Sequence, residues 1–110
     1  MSLFKALRKA DEEKDIEAYM SLHHEDFEFV RHQTGSTMNK TELRVLVLGM
    51  MTHPSFQELM TRCIYENDDI LVTHSVMRFQ DGSRESVLIV KMIENGQVIR
   101  SESGATPMKY

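Results

Sequence analysis

Apolar and polar positions change their period partway along the chain. Residues 3–14 place Leu3, Phe4, Leu7 and Ala10 at helical spacing, behind Ser2 as N-cap. The polar run 11–15 breaks that pattern. Asp15 then caps a second, short helix through about Leu22, with Ile16, Tyr19, Met20 and Leu22 apolar. Residues 23–26 read as a polar connection. Residues 27–32 alternate strictly, with Phe27, Phe29 and Arg31 on one face and Glu28, Val30 and His32 on the other. Residues 33–37, with Gly35, read as a turn. Asn39 and Glu42 stand three apart, as in a capping box, ahead of a helix from Lys40 to about Met51 that aligns Leu43, Leu46, Val47 and Met50. His53-Pro54 ends it, because a residue before proline is pushed out of the α region.

From residue 56 the period becomes two. Strands are predicted over 56–66, 70–79, 85–93 and 98–106, with a short frayed tail after Thr106. Asp81-Gly82 and Asn95-Gly96 fall between β-rich runs, the strongest short-range hairpin signal. The order is helix, helix, strand, helix, then four strands. That order predicts an α+β fold with the helices on one face of a curved, largely antiparallel sheet. A twisted sheet curling around its helices leaves a cavity on its concave face.

Composition narrows the function classes. The chain has 110 residues, which predicts one domain over 1–110. Net charge is −4 with no basic stripe, which argues against nucleic acid. No apolar run approaches the ~20 residues of a membrane span. The first five residues carry no secretory apolar segment, and Cys63 is the single cysteine. The expected location is cytoplasmic. Nine methionines are read as a Met-rich core.

Candidate chemistry follows from strand alternation. Arg31 shares a face with Phe27 and Phe29, the expected concave face. There it either clamps a carboxylate or enolate-like ligand, or forms an internal ion pair, or reaches water at the rim. On 70–79, Ile70, Val72, His74, Val76 and Arg78 form one set, expected to face the cavity, although both faces are partly apolar. His74 would then be a general acid or base, or a bonded core histidine. Glu85 is the expected counter-ion of Arg78 across the hairpin. Arg31, His74, Arg78 and Glu85 together would make a polar cavity floor. Ser101 and Ser103 alternate with Arg100 and Glu102 and are expected inside, while Lys91 and Arg100 suit the outer sheet face. Phe29 would line the ligand. His23-His24-Glu25-Asp26 fits no metal-ligand spacing, so no metal is expected. Cys63 reads as a buried, inert thiol. No glycine-rich phosphate loop exists, and no cofactor is expected.

Residues 15–29, Asp-Ile-Glu-Ala-Tyr-Met-Ser-Leu-His-His-Glu-Asp-Phe-Glu-Phe, resemble the second helix, acidic turn and first strand of NTF2-like proteins of the SnoaL-like branch. The element order and the closing stretch 96–100, Gly-Gln-Val-Ile-Arg, carry the same resemblance over nearly the whole chain. It implies an α+β (cystatin-like) cone, often a homodimer packed through the outer sheet face. The superfamily includes ketosteroid isomerase, polyketide cyclases, scytalone dehydratase, limonene epoxide hydrolase and non-catalytic binders, so fold does not settle function. By the resemblance, the isomerase aspartate base falls at Arg31, its tyrosine near Leu7 and its second aspartate near Ile89; none matches. No equivalent of the cyclases' acidic residue or the epoxide hydrolases' Asp-Arg-Asp set stands out. The expectation is a small-molecule binder or SnoaL-like acid–base enzyme with an anionic or carbonyl-bearing ligand. In that case His74 carries the proton and Arg31 or Arg78 stabilises negative charge. The alternative is a non-catalytic dimerisation or protein-interaction module with a small, filled core.

Overall fold

The computed structural model describes residues 2–109. Three helices, α1 (Leu3–Glu12), α2 (Ile16–Ser21) and α3 (Lys40–Thr52), pack on one mixed sheet. Its strands are β1 (His23–Arg31), β2 (Ser36–Asn39), β3 (Gln57–Glu66), β4 (Ile70–Arg78), β5 (Arg84–Glu94) and β6 (Gln97–Met108). The order across the sheet is β2-β1-β6-β5-β4-β3. Every neighbouring pair is antiparallel except β1 and β6, which run parallel at the junction between the two halves of the chain. The expected α+β architecture is what forms.

Local chemistry sets the boundaries. Ser2 accepts a hydrogen bond from the Lys5 amide at 3.1 Å, and Asp15 accepts one from Ala18 at 3.1 Å. The capping box is complete: Asn39 Oδ1 accepts from the Glu42 amide at 2.9 Å, and Glu42 Oε1 accepts from the Asn39 amide at 3.0 Å. At the β5–β6 hairpin both Asn95 and Gly96 have positive φ, 51° and 78°, as a tight two-residue turn between twisted strands requires.

Three expectations about boundaries change. Strand β1 begins at His23, which pairs with Val98, and after an irregularity the pairing with β6 resumes at Glu28. Part of the predicted 33–37 turn is strand β2, which pairs with the end of β1. The tail after Thr106 continues in β6 through Met108, held against the start of β5 by Arg84 and Glu85.

The core lies between helices and sheet. Leu7, Met20, Leu43, Val47 and Met51 from the helices meet Phe27, Leu71 and Val98 from the strands. Helix α1 is fastened to edge strand β3 at two points. Glu66 Oε2 accepts from the Leu3 and Phe4 amides at 2.9 and 3.3 Å, placing a carboxylate at the positive end of the helix. Arg8 Nη1 donates to Glu58 Oε2 at 2.8 Å.

Candidate active site

A cavity of about 730 Å³ opens between the helices and the concave sheet face. That volume suits a small organic molecule. Apolar side chains make most of its wall, including Leu7, Phe27, Phe29, Met77, Val87 and Ile89.

One polar cluster interrupts this wall. Arg8 Nη1 donates to Glu58 Oε2 and, at 3.2 Å, to Asp11 Oδ2. The Thr61 hydroxyl donates to Glu58 Oε1, and Thr61 and Ser75 hydroxyls are 2.9 Å apart. Arg8 and Asp11 share a helix face because they stand three residues apart. Glu58 and Thr61 are also three apart, and in a regular strand they would point to opposite faces. The register of β3 against β4 shifts between Glu58 and Met60, so Glu58 lies opposite Met77 and Thr61 opposite Ser75, both inward.

Asp11 and Glu58 meet at Arg8 Nη1, and two carboxyls gathered there oppose each other's ionisation. Burial, then the hydrogen bond and charge of Glu58, raise Asp11 to about 7, with Arg8 opposing. Burial works against ionisation of Glu58 too, but hydrogen bonds from Asp11 and Thr61 and the Arg8 cation hold it below its ordinary value. Below about pH 7 the proton of the pair therefore sits on Asp11, beside an ionised Glu58. A carboxylic acid that titrates near neutrality is suited to giving and taking protons.

Polar groups also line the buried part of the cavity. His23 Nδ1 donates to the Tyr19 carbonyl at 2.9 Å, and the ring packs edge-on against Phe27. Burial, then the charge of Lys91, lower its pKa to about 4, so it is neutral in the folded protein. Tyr19 is raised by burial and by the Asp11 and Glu58 charges. Lys91 is 9% exposed and lowered by burial to about 8, with Glu58 partly offsetting. It stands opposite Ser101 in the β5–β6 register, and the buried Ser101 hydroxyl has no hydrogen-bond partner among the described residues.

Of the residues predicted from sequence, Arg31, Phe29, Glu85, Ser101 and Ser103 do line the cavity. Arg31 makes no ion pair within 4 Å among the described residues, and Glu85 accepts instead from Gln33 Nε2 at 3.1 Å. His74 and Arg78 do not line it. On β4 the inward set is Leu71, Thr73, Ser75 and Met77, the opposite parity to that expected. His74 lies on the outer face, where Arg62 Nε donates to its Nδ1 at 3.1 Å and its Nε2 bonds Ser86 Oγ at 2.8 Å. Arg78 is exposed and pairs in register with Arg84, so it is not the counter-ion of Glu85. The four-residue polar floor expected from the sequence does not form. Its apolar outer positions had looked like the inside, while the inside is lined with threonine and serine.

Two further expectations are corrected. Lys91 faces in, not out, and Cys63 is exposed on edge strand β3. Arg8, Asp11, Glu58 and His23 were not read as functional. A signal existed for two of them: Arg8 and Asp11 stand four residues after Phe4 and Leu7, within the apolar stripe of α1. Among the described residues no group of side chains could hold a metal ion, and no helix is long and apolar enough to cross a membrane.

No protein-family model matches the chain, and no curated protein matches its sequence. Solved structures do match its shape. A candidate ketosteroid isomerase from Kribbella flavida is 14% identical with a TM-score of 0.78, over 98% of this chain and 78% of that one. An NTF2-like protein of unknown function from Burkholderia xenovorans is 17% identical with a TM-score of 0.73, over 98% and 83%. IdmH, a candidate polyketide cyclase from Streptomyces antibioticus, is 14% identical with a TM-score of 0.71, over 94% and 88%. Arg31, Leu7 and Ile89, at or near which the family resemblance puts the isomerase residues, all line the cavity, and none is an aspartate or a tyrosine. Helix order, mixed sheet and these shared shapes give one conclusion: the chain has the NTF2-like fold.

Proposed function

We propose that this protein takes a small, largely apolar carbonyl compound into its cavity and carries out acid–base chemistry on it, with Asp11 as the proton carrier. The observation that carries this is the Arg8–Asp11–Glu58 cluster on the wall of a largely apolar cavity. In this scheme the ionised form of Asp11 takes an α-proton as the C–H electron pair shifts toward the carbonyl oxygen, and the acid so formed returns the proton to carbon. Glu58 raises the Asp11 pKa, and Arg8 keeps the pair from both being neutral. Arg31, free of an ion pair at the polar end of β1, suits an anionic substituent on the same ligand. The candidate isomerase and cyclase among the structural neighbours support a reading of this class. A cavity of this volume is unlike the small, filled core of a purely structural module.

The test uses 2-tetralone, an apolar ketone with acidic α-hydrogens. Exchange of those hydrogens in D2O, followed by NMR, should be faster with protein than with buffer. Asp11→Asn should slow it by roughly a hundredfold or more. Protein-catalysed exchange that survives this substitution places the proton carrier elsewhere; no acceleration in the wild type removes the reading.

The proposal extends to assembly and location. A second copy of the chain would cover the outer sheet face, where Met60, Leu88 and Ile70 are exposed at successive levels along β3, β5 and β4. Sedimentation should give a dimer, and Leu88→Lys a monomer. We place the protein in the cytoplasm, where a free, exposed Cys63 stays reduced.

A further inference from the structure

Lys91 is the buried ionisable group that the acid–base scheme leaves unused. It lines the cavity, is nine-tenths buried, and among the described residues has neither an ion pair nor a side-chain hydrogen bond. A buried ammonium without a partner is costly, and neutralisation relieves that cost. Structural lysines on sheets usually extend their amines to water or to a carboxylate. Ser101, its register partner on β6, also lines the cavity, and its hydroxyl is buried without a hydrogen-bond partner at 2% exposure. Phe29 lies next to Ser101 on β1, and Ile89 is two residues before Lys91 on the same face. An amine, a free hydroxyl and an apolar wall are thus gathered at one place inside the cavity.

We propose that Lys91 is a nucleophile that captures an aldehyde or unhindered ketone as an imine, with Ser101 assisting at the carbonyl oxygen. The neutral amine's lone pair attacks the carbonyl carbon, and a C–N bond forms as the C=O electron pair moves to oxygen. That oxygen takes up a proton, giving a carbinolamine. The C–O bond then breaks and the oxygen leaves as water, carrying in sum the two hydrogens of the amine. No oxidant or reductant is consumed. The unpaired Ser101 hydroxyl can donate to the oxygen in the intermediate, and Asp11 is an acid of the same cavity. About half of the amine is free near pH 8, where a surface lysine is almost wholly protonated. The site deepens the carbonyl reading above and rests on it.

Borohydride trapping tests it. The full chain is incubated at pH 7.5 with 2-naphthaldehyde and sodium cyanoborohydride, then digested and mapped by mass spectrometry. This aldehyde has no α-hydrogen, so its capture is independent of α-proton exchange. The expected result is one adduct, the aldehyde less an oxygen, on the Lys91 peptide, at roughly ten times the rate of Lys5, Lys9 or Lys40. Ser101→Ala should slow it severalfold with the melting temperature little changed, and Lys91→Arg should abolish it. Mapping on the wild type does not depend on any variant folding. Label spread evenly over the surface lysines, or no slowing in folded Ser101→Ala, overturns the proposal. If Lys91 stays unlabelled while 2-tetralone exchange proceeds, the imine fails and the acid–base reading stands. If both are absent, the cavity does not take carbonyl compounds at all.

Discussion

The two faces of the sheet invert the usual distribution of polarity. On the concave face Thr73, Ser75, Lys91, Ser101 and Ser103 are buried. On the convex face Met60 is 40% and Leu88 50% exposed, and Ile70 is exposed farther along β4. A sheet whose inner face packed solidly on helices would show the reverse. Here the inner face serves two purposes along its length. Where the helices touch it, Leu71 and Val98 are fully buried and apolar. Where the cavity intervenes, small hydroxyl residues leave room and supply hydrogen bonds. Polar residues inside therefore mark where the helices do not reach, which is where a ligand goes.

The largest effect should come from the polar patch of the inner face. Asp11→Asn keeps size and hydrogen-bonding capacity but removes the titrating proton, so 2-tetralone exchange should fall by roughly two to four orders of magnitude. A loss of less than about threefold would reduce the cluster to an α1–β3 fastening.

Next is the packed part of the same face. Leu71→Ala empties a fully buried site and should cost about 2–5 kcal/mol in urea unfolding, whereas Leu88→Ala on the outer face should stay within about 0.5–1 kcal/mol in the monomer. Equal losses would mean that the outer face is covered even in the monomer.

The fold was legible in the sequence for a physical reason. Caps, the Asn95-Gly96 turn and strand period are local signals, and each acts where it is written. The side-chain inventory of the site was less legible, because it depends on which face is inside. On β1 the aromatic residues Phe27 and Phe29 decided that, and Arg31 was placed correctly. On β4 both faces carry apolar residues, so alternation had two solutions. On β3 alternation itself fails: the shift between Glu58 and Met60 is a tertiary event with no residue signature. Lys91 was misplaced because a charged residue in a strand ordinarily faces water.

His23 tests how dry the buried end of the cavity is. Its folded pKa of about 4 lies below the ordinary 6.5, so the unfolded chain takes up this proton first as pH falls. Its contribution is fully present above pH 6.5 and is lost on acidification toward pH 4, by as much as ~3 kcal/mol. Asp11 acts in the opposite sense, since its raised pKa makes stability fall as pH rises from about 4 to about 7. The measurement is therefore a difference between wild type and His23→Gln in urea at each pH. That difference should shrink steadily from pH 6.5 to 4; a constant difference would mean that His23 charges freely in the folded protein.

The smallest effect belongs to His74, and its smallness is informative. Arg62 Nε can only donate, so His74 Nδ1 accepts, and the ring hydrogen on Nε2 is given to Ser86. Both bonds run along the outer face, across β3, β4 and β5, and neither reaches the cavity. His74→Ala removes two partly exposed hydrogen bonds, about 1 kcal/mol in all, and should leave 2-tetralone exchange within twofold of wild type. The residue is one position from Thr73 and Ser75, which are inside. A one-residue slip of β4 would exchange them, bringing His74 against the Asp11–Glu58 cluster and sending the hydroxyls to water. A large loss of exchange in His74→Ala, alongside that in Asp11→Asn, is the pattern that slip would produce. No other pair of substitutions separates the two registers so directly, because the two residues lie on opposite sides of the same sheet.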